Sequence, residues 1–316
     1  MQSPLVLGVD VAKAEVVVAC SRNSFAAHAV ANTPSALRRY LKTLPAGSAI
    51  ALESTGVYHQ AMADIAVELG HTAYVLNPRN THNYAKAVGV RAKTDRVDAQ
   101  LIARYLAHEQ AQLHPYVPPT PEQRTMDRLL RRRAGVIAQR NALRLSCGDV
   151  PSLKKGLKTA LAALQALIAA MDAQIAALIR TIPGRQEQTD RLRSVVGIGP
   201  ITSAWLANLL ERVPFKSSDA LVAFAGMDPR PRDSGTKRGQ RFLSKHGPAE
   251  GRRLLFNAAM AGIKSPVWAP LYQQCRNRGL ASTEALIVVA RKMLRVAFAL
   301  YKTQTNFNPQ IMLGKA

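Results

Sequence analysis

Four carboxylates stand where neither packing nor solubility explains them well. Asp10 and Glu53 each end an apolar run that reads as a buried strand. Asp95 and Asp98 lie three residues apart at the start of a helical pattern, so they share one helix face. Hard oxygen ligands that converge suit Mg²⁺ or Mn²⁺, and four carboxylates can hold one or two ions. The alternative for the Asp pair is a helix start favoured by the macrodipole, which explains one Asp better than two.

The charge of the chain indicates a polyanionic partner. Its 316 residues include 43 Lys and Arg against 20 Asp and Glu, a net charge of +23. Residues 1–110 are nearly neutral, so the excess lies in residues 111–316. This division predicts that catalysis and much of the nucleic-acid binding lie in different parts of the chain. Aromatic residues make up only 5%, which argues against a broad base-stacking surface.

Several classes of protein are disfavoured by composition. The three Cys are isolated and the seven His are scattered, so a disulfide framework or a structural zinc site is not expected. The N-terminus lacks the basic region of a signal peptide, and no apolar run approaches bilayer length. The sequence therefore predicts a cytoplasmic protein with no membrane partner.

Hydrophobic periodicity predicts three parts. Residues 1–115 alternate strand and helix signals, which predicts an α/β domain with a mixed sheet. The proline-rich stretch at 114–121 predicts a linker, and residues 116–185 predict a basic helical, coiled-coil arm. Residues 186–316 predict a mainly α domain that begins with a helix-hairpin-helix-like segment at 197–199. A Gly-Ile-Gly turn of this kind can hold a phosphate or simply join two packed helices, and both readings stay open.

A near-heptad stripe of apolar residues runs through the predicted arm. It is compatible with two helices packed within one chain or with a coiled coil between subunits. The members of the stripe are Leu153, Leu157, Leu161, Leu164, Ile168, Met171, Ile175 and Leu178.

Basic side chains cluster in two places where they could contact nucleic acid. One cluster precedes the stripe, although a solvated helix face is the ordinary explanation for such a run. The other surrounds a Ser-Gly turn in the C-terminal part. The candidate nucleic-acid residues are Arg128, Arg131, Arg132, Arg133, Arg230, Arg232, Lys237, Arg238 and Lys245.

The order of the carboxylates, on strand one, a later strand and a following helix, resembles the RuvC-like branch of the ribonuclease H fold. Four short sequence motifs make the resemblance more specific: 8–13 (Gly-Val-Asp-Val-Ala-Lys), 53–56 (Glu-Ser-Thr-Gly), 77–78 (Asn-Pro) and 93–99 (Lys-Thr-Asp-Arg-Val-Asp-Ala). Together they are similar to the DEDD transposases of bacterial insertion sequences, which have a RuvC-like N-terminal domain and a serine-bearing C-terminal domain.

The C-terminal third supports the same resemblance. Further motifs occur in the same order as in the family's sequences, at 183–184, 197–199, 224–230, 234–235, 243–247 and 252–255. Ser54 stands where Ala is frequent in the family, and Leu243 replaces the usual Ile. Neither departure touches a catalytic position.

The resemblance implies a function and a set of roles. Asp10, Glu53, Asp95 and Asp98 would be catalytic and bind Mg²⁺ (or Mn²⁺), and Ser234 would be the nucleophile that forms a covalent phosphoserine with DNA. The implied partners are donor and target DNA and a noncoding guide RNA encoded by the element. The family's assembly implies a homo-oligomer, a dimer or a tetramer, with a composite active site. By spacing alone, 233–235 reads as an ordinary turn.

Two alternatives remain. A metal-only, structure-specific nuclease such as a junction resolvase would use water as the nucleophile and leave Ser234 as a loop residue. A non-enzymatic nucleic-acid-binding protein, for example a decayed transposase, would not need the complete carboxylate set.

Overall fold

The computed structural model describes residues 4–21, 27–54, 56–90, 94–230, 234–235, 239 and 241–312. The chain divides into two compact units, Met1–Pro118 and Pro119–Ala316. The first is built on a mixed sheet and the second is mainly helical, which confirms the predicted α/β and mainly α parts. The RuvC-like assignment and the three-domain division stay predictions.

The first unit contains a five-stranded sheet in the order β3-β2-β1-β4-β5. β1 pairs antiparallel with β2 and parallel with β4, while β4 pairs parallel with β5. The strands are rich in Val, Ile and Ala, which suit a sheet buried on both faces. The strands are β1 (Val6–Val11), β2 (Glu15–Cys20), β3 (His28–Ala31), β4 (Ala49–Glu53) and β5 (Thr72–Leu76).

Helices cover both faces of this sheet. Leu7 and Val9 of β1 pack in a core with helices α1 (Pro34–Leu41) and α2 (Gln60–Glu68). Ala49 and Ala51 of β4 face the other way, into a core formed with the helix that begins at Asp95. Because side chains alternate along a strand, Asp10 of β1 and Glu53 of β4 lie on this second face, which is covered by the helix that begins at Asp95.

Two further helices complete the first unit. α3 (Pro78–Ala87) begins at Asn77, whose side chain accepts a hydrogen bond from the Arg79 N–H. This helix lies where the sequence patterns predict only the end of a strand. α4 (Asp95–Glu109) begins at Thr94, whose hydroxyl caps the Val97 N–H.

Gly8 allows α4 to lie directly on β1. A Cβ atom at Gly8 would come within 2.2 Å of both the Ala103 nitrogen and the Ala99 carbonyl oxygen. These are backbone atoms, which cannot give way as the end of a flexible side chain can. The strand and the helix are therefore in close backbone contact beside the first carboxylate.

The proline-rich stretch after α4 is attached to the first unit. The Tyr116 backbone N–H donates to the Ala73 carbonyl at 2.7 Å, and the Tyr116 hydroxyl donates to Asp64 at 2.9 Å. The stretch predicted as a linker is thus anchored in its middle, along the outer side of β5.

The second unit begins with a helical hairpin made of α5 (Pro121–Cys147) and α6 (Lys154–Thr181). Arg133 pairs with Asp172, with a 3.1 Å contact from Nη2 to Oδ2, and Arg140 bonds Gln165, so the two helices are antiparallel. The near-heptad stripe therefore contributes to packing within the chain. A contact between subunits stays a prediction.

Much of α6 is apolar without being buried. Ile168, Ile175 and Ile179 are buried, but Leu167 is 46% exposed, and Leu153 just before the helix is 47% exposed. By length and composition alone, residues 151–181 could also cross a membrane. The expectation that no apolar stretch reaches bilayer length is therefore corrected for this helix. Asp172 in its middle is ion-paired with α5.

The remaining helices of the second unit pack around a core that includes Trp268, Met293 and buried residues of α5 and α6. At the Gly-Ile-Gly turn, Gly197 has φ +100, and a Cβ there would lie 2.4 Å from the Ala258 carbonyl. The close contact supports the packing role of this turn. The helices are α7 (Arg185–Arg193), α8 (Pro200–Arg212), α9 (Ser218–Phe224), α10 (Ala249–Gly262), α11 (Ala269–Asn277), α12 (Ser282–Thr303) and α13 (Pro309–Met312).

A short β-hairpin interrupts these helices between α9 and α10. It consists of β6 (Pro229–Arg230) and β7 (Phe242–Leu243), which pair antiparallel. Among the described residues, its stem has two residue pairs, Pro229 with Leu243 and Arg230 with Phe242.

Candidate active site

The two strand carboxylates lie at the same edge of the sheet. β1 and β4 are parallel neighbours, and Val9 pairs with Leu52. Asp10 and Glu53 are the next residues of their strands, so they lie side by side. Both follow the alternation that faces α4, and both are half-buried. The predicted convergence of these two side chains is present.

The helix carboxylates complete the group. Asp95 and Asp98 lie in the first turn of α4, where Asp95 is exposed and Asp98 is half-buried. The same helix contacts Gly8, two residues before Asp10 on the same face of β1. Because its second and third turns lie against Gly8, its first turn lies near Asp10.

The electrostatics of Asp10 show how close the four groups are. Burial, then the negative charges of Asp95 and Asp98, and lastly that of Glu53, raise the pKa of Asp10 to about 6. A hydrogen bond from the Val11 backbone opposes this rise. Carboxylates this near to one another repel, and a cation between them relieves both the repulsion and the raised pKa.

The four carboxylates are neighbours without forming a closed ligand cage. Within the described parts of the chain, no three Asp, Glu, His or Cys side chains converge tightly enough to hold an ion as they stand. The donor set nevertheless fits Mg²⁺ or Mn²⁺ in chemistry, because all four groups are hard oxygen donors at one sheet edge.

Glu53 is held by a buried side chain that the sequence patterns do not single out. The Thr81 hydroxyl, in the first turn of α3, lies 2.8 Å from Glu53 Oε2 and 3.0 Å from the Pro78 carbonyl. The only signal in the sequence is the helix start at Asn77-Pro78, which brings Thr81 beneath the end of β4.

A second polar residue joins the loops around this edge. The Asn32 amide group donates to the Ala12 carbonyl at 2.8 Å and to the Tyr58 carbonyl at 3.2 Å. Ala12 follows β1, and Tyr58 follows the motif 53–56 at the end of β4. Asn32 therefore links the segments that leave both carboxylate-bearing strands.

Ser234 lies in the hairpin between β6 and β7. Its side chain is exposed, and Gly235 after it has φ +55, a conformation that favours glycine. An exposed serine beside a glycine turn is accessible to a large substrate such as DNA. Its role as nucleophile stays a prediction.

The base of the serine hairpin is fastened by side chains. Ser244 donates its hydroxyl to Asp228 Oδ1 and its backbone N–H to the Asp228 carbonyl at 3.0 Å. Arg252 donates to the Gly247 carbonyl at 2.6 Å and to the Ala225 carbonyl at 3.3 Å. We name these contacts the hairpin clasp. The Ser244 hydroxyl is thus engaged in the clasp.

The basic candidates differ in their surroundings. Arg133 is paired with Asp172 inside the helical hairpin, so its charge is partly neutralised. Lys245 is exposed and has φ +53. Exposed side chains are also found at Arg128, Arg131, Arg132 and Arg230. Arg232, Lys237 and Arg238 lie outside the described residues.

Comparisons with known proteins match both parts of the chain in which these residues lie. A family profile described as "Transposase", of the DEDD IS110 type, matches residues 7–147. A second profile, "Transposase IS116/IS110/IS902 family", matches residues 189–273. The first match includes all four carboxylates and the second includes Ser234 and the hairpin clasp.

Curated relatives match most of the chain. A pilin gene-inverting protein of Moraxella bovis is 28% identical over 82% of each chain, and that of Moraxella lacunata is 27% identical over 82% of each. A probable family 20 transposase of Pseudomonas aeruginosa is 26% identical over 86% of this chain and 89% of its own.

The two profiles together define a DNA transposase, an enzyme class that cleaves and rejoins DNA. The chain belongs to the IS110 family of insertion-sequence transposases, the DEDD type.

Proposed function

We propose that this transposase cleaves and rejoins DNA through a carboxylate-bound divalent metal and a covalent phosphoserine at Ser234. The observation that carries the metal half is the electrostatic coupling of Asp10 with Asp95, Asp98 and Glu53. Structural carboxylates are seldom gathered at one edge of a sheet, because their mutual repulsion destabilises the fold.

Asp10, Glu53, Asp95 and Asp98 would hold one or two Mg²⁺ or Mn²⁺ ions. A bound divalent ion neutralises charge on the phosphate and on the leaving oxygen of a phosphodiester. The protein's own contribution is to keep the donor oxygens on rigid elements, namely two central strands and the helix packed on them.

The serine step can be written with its atoms balanced. Ser234 Oγ attacks the phosphorus of a DNA phosphodiester, loses its proton, and forms a new P–O bond. The bond from phosphorus to the leaving sugar oxygen breaks, and that oxygen gains a proton to become a strand-end hydroxyl. A hydroxyl of a second strand then attacks the phosphoserine, which restores Ser234 and joins the strands. The phosphoester link is preserved throughout, so no ATP is required.

The serine assignment is tested with Ser234→Ala. The protein, Mg²⁺, element-end DNA and candidate RNA are incubated, and a protein-linked DNA strand is sought on a denaturing gel. We expect the adduct to disappear while DNA binding is kept. Ser146→Ala is a matched control, because the exposed Ser146 hydroxyl bonds Leu143 and Cys147 of its own helix. An undiminished adduct in Ser234→Ala would contradict the assignment and favour the metal-only nuclease.

A noncoding RNA as guide is the next part of the proposal. The strongly basic second half and the low aromatic content suit binding to phosphate backbones, with sequence recognition left to base pairing. Recombination of cognate DNA should therefore need the element's RNA. Equal recombination with and without RNA would refute this part and leave the metal and serine parts standing.

The proposed assembly is a homo-oligomer, a dimer or a tetramer, in which one protomer supplies the carboxylates and another supplies Ser234. The half-exposed apolar face of α6 supports association. Mixing an Asp10→Asn protein with a Ser234→Ala protein should restore partial activity if sites are shared between protomers. No restoration would mean that each site is formed within one chain.

A further inference from the structure

We propose that Thr81 is a positioning residue that fixes the Glu53 carboxylate for the metal. The inference rests on the proposed metal site, and it assigns a role to a residue outside the DEDD set. It starts from one short contact, between the Thr81 hydroxyl and Glu53 Oε2 at 2.8 Å.

Thr81 is buried, with 3% of its surface exposed. Threonine is normally a surface residue, and a buried hydroxyl requires a partner. The Pro78 carbonyl, at 3.0 Å, could satisfy the hydroxyl within α3 alone. A hydroxyl has a single proton, however, and a bond to a charged carboxylate is about twice as strong as a bond to a neutral carbonyl. The proton therefore favours Glu53.

The position of Thr81 is set by the start of α3. Asn77 caps the helix, Pro78 occupies its first position, and Thr81 follows one turn later. β5 and β4 are parallel neighbours, and Glu53 pairs with Leu76. A helix that begins directly after β5 therefore brings its first turn against the end of β4, where Glu53 lies.

A neutral hydroxyl is well suited to this role. It orients one carboxylate oxygen without cancelling the negative charge that attracts a cation. A Lys or Arg at the same position would form an ion pair with Glu53 and compete with the metal. Hydrogen bonds from outside the ligand set commonly orient carboxylate ligands, and their loss typically lowers metal affinity about 10–100-fold.

Two substitutions separate this role from simple helix packing. Thr81→Val keeps the size and the branching of the side chain but removes the hydroxyl. Thr81→Ser keeps the hydroxyl and removes a methyl group. If Thr81 acts only by packing, Thr81→Ser has the larger effect. If it orients Glu53, Thr81→Val has the larger effect on metal binding, and Thr81→Ser remains close to the parent protein.

The test measures Mn²⁺ binding to the full-length protein without DNA, from the signal of free Mn²⁺ in electron paramagnetic resonance. We expect Thr81→Val to bind Mn²⁺ about 10-fold more weakly and Thr81→Ser to bind nearly as the parent does. Equal Mn²⁺ affinity in Thr81→Val and the parent overturns the proposal, as does equal weakening by the two variants. If Thr81→Val does not fold, Thr81→Ala replaces it in the same comparison.

Glu53→Gln and Asp10→Asn are included to test the underlying metal site separately. If both bind Mn²⁺ as the parent does, the metal site itself is wrong and Thr81 has no ligand to position. If both lose Mn²⁺ binding while Thr81→Val keeps it, the metal site stands and only the role of Thr81 fails. Thermal unfolding of each variant shows whether a loss of binding comes from a loss of fold.

Discussion

The carboxylate edge and the serine hairpin carry two halves of the proposed chemistry on very different supports. Asp10 and Glu53 end central strands of a sheet that is packed on both faces, and α4 lies in backbone contact with β1. Ser234 is exposed and lies in a hairpin whose described stem has two residue pairs and whose base is fastened by the hairpin clasp. The difference indicates that the oxygen atoms that bind an ion need a rigid support. A nucleophile that must reach DNA benefits instead from an exposed loop.

The largest effect should come from removing a carboxylate from the rigid frame. Asp10→Asn should lower DNA strand cleavage about 10²–10⁴-fold, the equivalent of several kcal/mol of metal-based stabilisation. Cleavage of labelled element-end DNA with Mg²⁺ measures this. Glu15→Gln, an exposed substitution on the neighbouring strand β2, is the control and should retain activity. Full activity of Asp10→Asn would contradict a role in catalysis for the carboxylates at this edge of the sheet.

The frame itself can be disturbed without touching a carboxylate. Gly8→Ala places a Cβ against the backbone of Ala99 and Ala103, so α4 must shift and carry Asp95 and Asp98 with it. We expect the unfolding free energy of the first unit to fall by about 1–3 kcal/mol, together with a loss of cleavage. Chemical denaturation followed by circular dichroism measures the stability.

Gly135→Ala provides the contrast, because a Cβ at this position in α5 meets nothing within 4 Å. There the substitution should stabilise the helix by up to about 1 kcal/mol. If both glycine substitutions behaved alike, close packing of α4 on β1 could not be what positions the helix carboxylates.

A smaller effect is expected at the hairpin clasp. Ser244→Ala leaves Asp228 without its hydroxyl partner, so the hairpin is less well held and the rate of phosphoserine formation should fall about 10-fold. This corresponds to the loss of one charge-assisted hydrogen bond. Single-turnover adduct formation on a denaturing gel measures it, with DNA affinity as the second readout. An unchanged rate would mean that Ser234 is positioned without the clasp.

The smallest effect is a pH dependence of stability in metal-free protein. The pKa of Asp10 is about 6 in the fold, above its ordinary value of 3.8. The group therefore favours folding below pH 4, and this contribution is lost as the pH rises through 6. Asp10→Asn should match the parent's melting temperature near pH 4 and exceed it by a few degrees near pH 8. Adding Mg²⁺ at pH 8 should stabilise the parent and not the variant.

The sequence predicted the carboxylate edge well because its signals are local. An apolar run that stops at Asp10 or Glu53 indicates a buried strand end, and both strands are present as predicted. The alternation of helix and strand signals predicted a mixed sheet, which is present, whereas the order and pairing of the strands are seen in the structure.

The supporting contacts could not be predicted in the same way. Thr81 and Glu53 are separated by 28 residues, and Ser244 and Asp228 by 16, so neither pair leaves a periodic pattern. The backbone contact of Gly8 with α4 depends on tertiary packing, which makes a strand glycine ambiguous in sequence. The family resemblance implied the candidate catalytic residues, and the structure shows which contacts hold them.

The anchored proline-rich stretch has a consequence for how the protein behaves at high concentration. β5 is an outer strand of the sheet, and an outer strand offers its unused carbonyl and N–H groups to any other strand that it meets. The Tyr116 N–H occupies the Ala73 carbonyl on that side, and neighbouring prolines have no N–H with which to extend a ladder. The segment thus covers the β5 margin of the sheet, so that backbone pairing with another strand is disfavoured at this margin.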